Sequence, residues 1–195
     1  MRVEDRKDNL PSRFNFMIKN IAFFGSSEVQ PGSADYDAAY QTAKLLAQNG
    51  CLIINGGGPG VMKASSEGAK AGGGEVIGVS FNPKDMTHFE GRDPTNPLDQ
   101  EILMDNYVER TLKLLEMGDA YVIFNGGTGT ISEFGMAWGL ARLYFGHHKP
   151  LILYGSFWHE IVEVIAENML IRPEEIRVYR IVTTPQQVLE EVQKL

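Results

Sequence analysis

Short, wholly apolar runs alternate along this chain with longer segments in which apolar residues return every three or four positions. Ile21-Ala22-Phe23-Phe24 is the first such run, and it ends at Gly25-Ser26-Ser27. From Asp35 to Asn49 the residues Ala39, Ala43, Leu46 and Ala47 recur at helical spacing, and Gly50 suits the left-handed position just past a helix end. The pattern then predicts a strand at Cys51–Ile54, a small-residue helix at Val61–Ala71 and a strand at Glu75–Val79. Residues 81–100 carry Pro83, Pro94 and Pro97 among polar side chains and read as a long loop, a kind of segment often functional in compact domains. A short strand at Glu101–Met104 precedes a helix over Asn106–Met117, and Ala120–Phe124 is the next strand. Helix Ile131–Tyr144, strand Leu151–Tyr154, helix Phe157–Met169, a strand near Val178–Val182 and helix Pro185–Lys194 complete the series.

Strands that are apolar throughout, rather than alternating, predict burial on two faces. Their alternation with helices predicts a mainly parallel sheet with helices on both sides. Residues 20–195 are expected to form one domain and residues 1–19 an extension. Its Phe14, Phe16 and Ile18 are suited to dock on the body or on a second subunit. In an open sheet of this kind ligands bind beyond the carboxyl ends of the strands, at a topological switch point. Gly25, Gly56 and Gly126 all fall at such ends.

Composition narrows the function more than the fold. Hydrophobic residues make up 43% of the 195 and charged residues 22%, an ordinary globular balance. No apolar stretch approaches the roughly 18 residues of a membrane span, and the charged start is unlike a signal peptide. A cytoplasmic protein without membrane association is the expectation. The formal charge of −7 opposes binding to a nucleic acid polymer, where Lys and Arg must neutralise many phosphates. It leaves room for a single nucleotide. The one cysteine, Cys51, lies in an apolar run and reads as a buried, inert thiol.

The candidate chemistry lies in two glycine-rich turns, each leading from a strand into a helix: Gly56-Gly57-Gly58-Pro59-Gly60-Val61-Met62 and Gly126-Gly127-Thr128-Gly129-Thr130-Ile131-Ser132-Glu133. Bare backbone at a helix start offers unpaired N–H groups and the positive end of the helix dipole, which suit a phosphate. Neither turn has the lysine of a Walker P-loop. A dinucleotide fingerprint fails as well, because the first strand ends in Gly25-Ser26-Ser27 and the second in Asn55-Gly56. The four histidines have no ligand spacing, so neither a metal nor a cofactor is expected. A small monophosphate fits best. Gly126 to Thr130 would hold it, with Gly25, Gly57 and Gly58 beside it and Ser26 or Ser27 adding a hydroxyl.

Three features admit a plainer reading. Thr130-x-x-Glu133 has the spacing of a capping box, in which the glutamate satisfies an orphan N–H at the helix start. Arg110 equally fits a helix-surface charge paired with Asp105, Glu109 or Glu116. The stripe Met136, Trp138, Leu140 and Leu143 reads as core, or else as a subunit interface.

Taken in order, Gly-Ser-Ser after the first strand, Gly-Gly-Gly-x-Gly-x-Met at 56–62, Gly-Gly-x-Val-Ile-Gly-Val at 73–79, Glu109-Arg110, and Gly-Gly-Thr-Gly-Thr-x-x-Glu at 126–133 resemble the Lonely Guy (LOG) family. The resemblance covers roughly residues 20–193. It implies a Rossmann-like three-layer α/β fold with a doubly wound sheet, usually in a homodimer. It also implies a phosphoribohydrolase, which cleaves the N-glycosidic bond of nucleoside 5′-monophosphates to free base and ribose 5-phosphate. The family's catalytic arginine and glutamate fall on Arg110 and Glu133. The chain departs from the family pattern at three positions: Asn125 replaces a proline, Thr111 a lysine and Tyr107 a methionine. These departures keep a second class open, a non-catalytic nucleotide or cofactor carrier or sensor using the same cradle.

Overall fold

The computed structural model describes residues 19–83 and 92–194. The extension expected over 1–19 therefore lies outside the described residues except for Lys19, as does the middle of the 81–100 segment. Seven strands are present: β1 (Asn20–Phe24), β2 (Leu52–Asn55), β3 (Val76–Phe81), β4 (Gln100–Met104), β5 (Ala120–Ile123), β6 (Leu151–Tyr154) and β7 (Tyr179–Val182). Six α-helices alternate with them: α1 (Ala34–Gln48), α2 (Val61–Ala71), α3 (Tyr107–Met117), α4 (Thr128–Leu143), α5 (Trp158–Asn168) and α6 (Pro185–Val192). No helix among the described residues is long and apolar enough to cross a membrane.

The strands form one sheet in the order β4-β3-β2-β1-β5-β6-β7, and every pairing is parallel. The chain winds outward from β1 to β4, then returns to place β5 on the other side of β1, with Ile21 opposite Ala120 and Phe24 opposite Ile123. This is the Rossmann-like architecture expected from the sequence, and its switch point lies between β1 and β5.

Successive side chains of a strand point to opposite faces, so each strand feeds two cores. Ile21, Phe23, Ile53 and Val122 pack against α1, α2 and α6. Ala22, Phe24, Ile54 and Ile123 pack against α3, α4 and α5, where Trp158 is 1% exposed. Three helix starts are fixed by the residues a sequence reader looks for. Ser33 Oγ accepts from Tyr36 N, Asn106 Oδ1 from Glu109 N and Thr184 Oγ1 from Gln187 N, the last with Pro185 in the first turn. Cys51 is buried, and burial raises its thiol pKa, as befits an inert side chain.

Three local expectations change. The stretch expected as loop is shorter, because β3 runs on to Phe81 opposite Met104 and β4 begins at Gln100. Helix α4 starts at Thr128, inside the glycine motif, and not at Ile131. The stripe on α4 is not core along its length: Leu140 and Leu143 are exposed, and Trp138 is partly buried with its indole N–H donating to Glu175 O at 2.7 Å.

Candidate functional site

A cleft of about 740 Å³ opens at the carboxyl ends of β1 and β5, where the strand order reverses. Its walls come from the turn after β1 (Gly25, Ser26, Ser27, Glu28), the start of α4 (Gly127 to Thr130) and the pair Arg110 and Glu133. Apolar surface is supplied by Phe23, Phe24, Met62, Phe81 and Tyr107. The turn after β1 is held in place by its neighbours. Ser26 N donates to Asn125 O at 2.9 Å and Val61 N to Ser26 O at 2.9 Å. Gly60, with φ +65°, lets the two turns meet, because a Cβ there would collide with the Ser26 carbonyl and stand 2.8 Å from Ser27 Cα.

The start of α4 is an open anion cradle. Gly127 is its N-cap and makes no side-chain cap, and Ile131 N, donating to Gly127 O at 3.0 Å, makes the first intrahelical bond. The preceding N–H groups, of Thr128, Gly129 and Thr130, belong to the helix's unpaired first turn. Thr128 and Gly129 are exposed at the cleft, while Thr130 is buried with its side chain against Gly126.

This register excludes the capping box. Glu133 lies in the second turn of α4, out of reach of the N-cap, and is 6% exposed. Its Oε1 accepts from Arg110 Nη1 at 3.2 Å. Arg110 is not a surface charge either. It is also 6% exposed, its Nε donates to Val79 O at 3.0 Å, and its Nη2 lies 3.7 Å from Met62 Sδ. A Cβ at Gly56 would overlap this guanidinium, so the first glycine of the first turn is the space through which Arg110 reaches Glu133. Burial pushes the Glu133 carboxyl up to about 7, and Arg110 opposes that shift without cancelling it. The site therefore holds a carboxyl raised toward neutrality, fixed by an arginine that is itself largely buried at the cleft wall.

Among the described residues Arg110 is the only cation lining the cleft. Gly57, Gly58 and Gly126, expected beside the phosphate, are not in the lining. Gly57 N donates to Asn55 Oδ1 at 2.8 Å and its carbonyl accepts from Asp93 N at 3.0 Å, while Gly58 O accepts from Asn96 Nδ2 at 2.8 Å. The segment around residues 93–96 thus covers this turn from outside. Thr111, at the family's lysine position, is fully buried and its hydroxyl donates to Tyr107 O at 3.0 Å, so it does not face the cleft.

Sequence reasoning missed Asn55, the buried hub of the first turn, whose amide donates to Met62 O at 3.0 Å and Ser66 Oγ at 2.8 Å. It also missed the cleft roles of Glu28, Met62, Phe81 and Ser132. Their signal is tertiary: each comes from a different element and meets the others only at the switch point.

The model of the SLOG cluster4 family matches residues 18–176. An uncharacterised protein of Archaeoglobus fulgidus is 32% identical over 138 residues, which is 71% of this chain and 85% of that protein. The cytokinin riboside 5′-monophosphate phosphoribohydrolase of Mycobacterium tuberculosis is 31% identical over 123 residues, 63% of either chain. Among solved structures, the molybdenum cofactor binding protein from Rippkaea orientalis superposes with a TM-score of 0.68 at 24% identity. That match covers 92% of this chain and 98% of that one, and at this identity it speaks for the fold alone.

Proposed function

From a chain that belongs to the SLOG cluster4 family, of Lonely Guy type, we propose a phosphoribohydrolase that cleaves the N-glycosidic bond of a nucleoside 5′-monophosphate. The observation that carries this reading is the buried Arg110–Glu133 pair, set one helical turn beyond the open start of α4. The 5′-phosphate sits on the N–H groups of Thr128, Gly129 and Thr130 with hydroxyls from Ser26, Ser27 or Thr128, and the helix dipole takes the place of a lysine. The ribose then lies over Glu133. As the C1′–N bond lengthens, positive charge grows on C1′ and O4′, and the adjacent carboxylate stabilises it. Water adds to C1′, and its proton passes to Glu133 and on to the departing base nitrogen. A carboxyl near pH 7 is suited to take and return that proton. Arg110 acts through Glu133, holding its rotamer, and does not grip the phosphate.

The same reading includes a cytoplasmic homodimer. Leu112 on α3, Leu140 on α4 and Tyr144 at its end are exposed and border one apolar groove, which a second copy would cover. The chemistry is tested by chromatography of free base from a panel of nucleoside 5′-monophosphates, AMP and a cytokinin ribotide among them. Release that collapses in folded Glu133→Gln and Arg110→Ala supports it. Saturable binding without release from any nucleotide turns the reading to a carrier or sensor.

A further inference from the structure

Met62 is the one methionine among the described residues that lines the cleft, and its sulfur touches the buried pair. It is the second residue of α2, and its backbone is clamped. The Met62 carbonyl accepts from Asn55 Nδ2 at 3.0 Å, Ser65 Oγ at 2.7 Å and Ser66 Oγ at 3.1 Å. From that fixed origin the side chain reaches the cleft wall, where Sδ accepts from Arg110 Nη2 at 3.7 Å. The other two guanidinium nitrogens are committed, Nε to Val79 O at 3.0 Å and Nη1 to Glu133 Oε1 at 3.2 Å. A thioether is a weak acceptor, so Met62 is the weakest of the three groups that fix Arg110. It is also the one that chemistry can strengthen. Met62 is 8% exposed, and the cleft is its route to solvent, open to a molecule as small as hydrogen peroxide.

We propose that Met62 is a peroxide-sensitive modification site, whose conversion to the sulfoxide draws Arg110 off Glu133 and stops turnover. This rests on the phosphoribohydrolase reading for its effect on turnover, not for the modification itself. The sulfur lone pair attacks one peroxide oxygen, and the S–O bond forms as the O–O bond breaks. The other oxygen leaves as water, carrying both protons. Sulfur is oxidised by two electrons and the peroxide is reduced by two. The product holds a polar S–O group in place of an apolar thioether. Its oxygen is a strong acceptor, and the donor facing it is Arg110 Nη2. A charge-assisted hydrogen bond needs about 2.7–2.9 Å between nitrogen and oxygen. Along the 3.7 Å line from Sδ that leaves roughly 1 Å, too little for an S–O bond, so the guanidinium gives way. Its contact with Glu133, at 3.2 Å, is longer than the one with Val79 O, at 3.0 Å, and breaks first.

The test exposes the protein to graded hydrogen peroxide, quantifies every methionine by peptide mass spectrometry and follows base release from AMP on the same samples. Loss of kcat is expected to track Met62 sulfoxide and to reach on the order of 10- to 100-fold. Methionine sulfoxide reductase with a thiol reductant restores it. Met62→Leu, a volume-conserving swap, keeps after peroxide whatever turnover it had before. The carbon-13 signal of the Glu133 carboxyl, followed against pH, titrates higher in the sulfoxide form, because Arg110 no longer opposes its rise. The proposal is overturned if Met62 stays reduced at peroxide levels that oxidise the partly buried Met104 and Met136. It is equally overturned if full conversion of Met62 leaves kcat within ~2-fold, or if Met62→Leu is inactivated alike. Loss of near-ultraviolet dichroism on oxidation also overturns it, since general unfolding then accounts for the lost turnover. If untreated protein releases no base, the hydrolase reading fails and the Glu133 titration alone decides, an unmoved titration ending the proposal.

Discussion

Replacing Gly56 with alanine probes how the proposed catalytic pair is assembled without substituting either member. The added Cβ would overlap Arg110 Nη2 and stand 2.7 Å from both Arg110 Cζ and Met62 Sδ, where carbon contacts need about 3.5 Å. Met62 is a flexible side chain and yields cheaply. The guanidinium does not, because Val79 O holds Nε at 3.0 Å and Glu133 holds Nη1 at 3.2 Å. Relieving the clash moves Cζ by roughly 1 Å and Nη2 by more, which is enough to break the 3.2 Å contact. A displacement of ~1 Å in a catalytic constellation costs on the order of 100-fold in rate, or about 2.7 kcal/mol of activation free energy. On the proposed reading α4 holds the phosphate, so the loss should fall on kcat and leave KM for AMP within a few-fold. Steady-state base release with a thermal melt of the same sample measures both. A folded Gly56→Ala protein that turns over within ~3-fold of wild type would falsify the account of Arg110 as the residue that places Glu133.

Four further outcomes follow from the same geometry. If Glu133 works as the carboxylate, log(kcat/KM) rises with pH at unit slope and levels off near pH 7, whereas an unperturbed carboxyl would level off near its ordinary value of 4.5. The same shift makes a stability statement. Between 4.5 and about 7 the folded chain holds a proton the unfolded chain has released, so stability falls as pH rises through that window, by up to about 3 kcal/mol. The Tm of Glu133→Gln should therefore gain on wild type from pH 4.5 to 7 and keep a constant lead above it, and parallel Tm curves would contradict the shift. Asn55→Leu strands Gly57 N and the acceptors of the Asn55 amide in a fully buried turn and is expected to cost about 3 kcal/mol, or ~6–12 °C in Tm. Light scattering of Leu112→Glu/Leu140→Glu should give the monomer mass where wild type gives twice that, and an unchanged dimer would move the interface to another face.

Much of this was legible in the chain, and for a physical reason. Two-sided burial makes the inner strands largely apolar, and Gly50, Asn106 and Pro185 mark helix ends by local chemistry that does not depend on the rest of the fold. The start of α4 was misplaced because Gly129 disfavours a helix interior on propensity, yet its first-turn position costs no side-chain packing and brings the bare N–H groups to the cleft. Gly57 and Gly58 look like Gly56 in sequence. Only the fold shows that the segment at 93–96 occupies their polar groups, and that Gly56 alone faces Arg110. Residues 110 and 133 lie on different helices, and no local spacing reveals that they meet. That pairing was available from family resemblance and from the three-dimensional structure, not from periodicity.

The strand order carries a consequence for how the molecule comes to exist. Strands β1 to β4 pair only with chain neighbours, and so do β5 to β7. Among the described residues the single strand pairing between these halves is β1 with β5, braced by Asn20 N donating to Asp119 Oδ2 across 99 residues. Joining residues so distant is the slow, entropically costly event in folding, and the earlier half leaves the ribosome first. The cleft has one wall on each side of that seam, so neither half holds the proposed nucleotide site alone. A bound nucleotide thus favours only chains in which the seam has closed, and its on-rate during refolding would time the closing of β1 against β5.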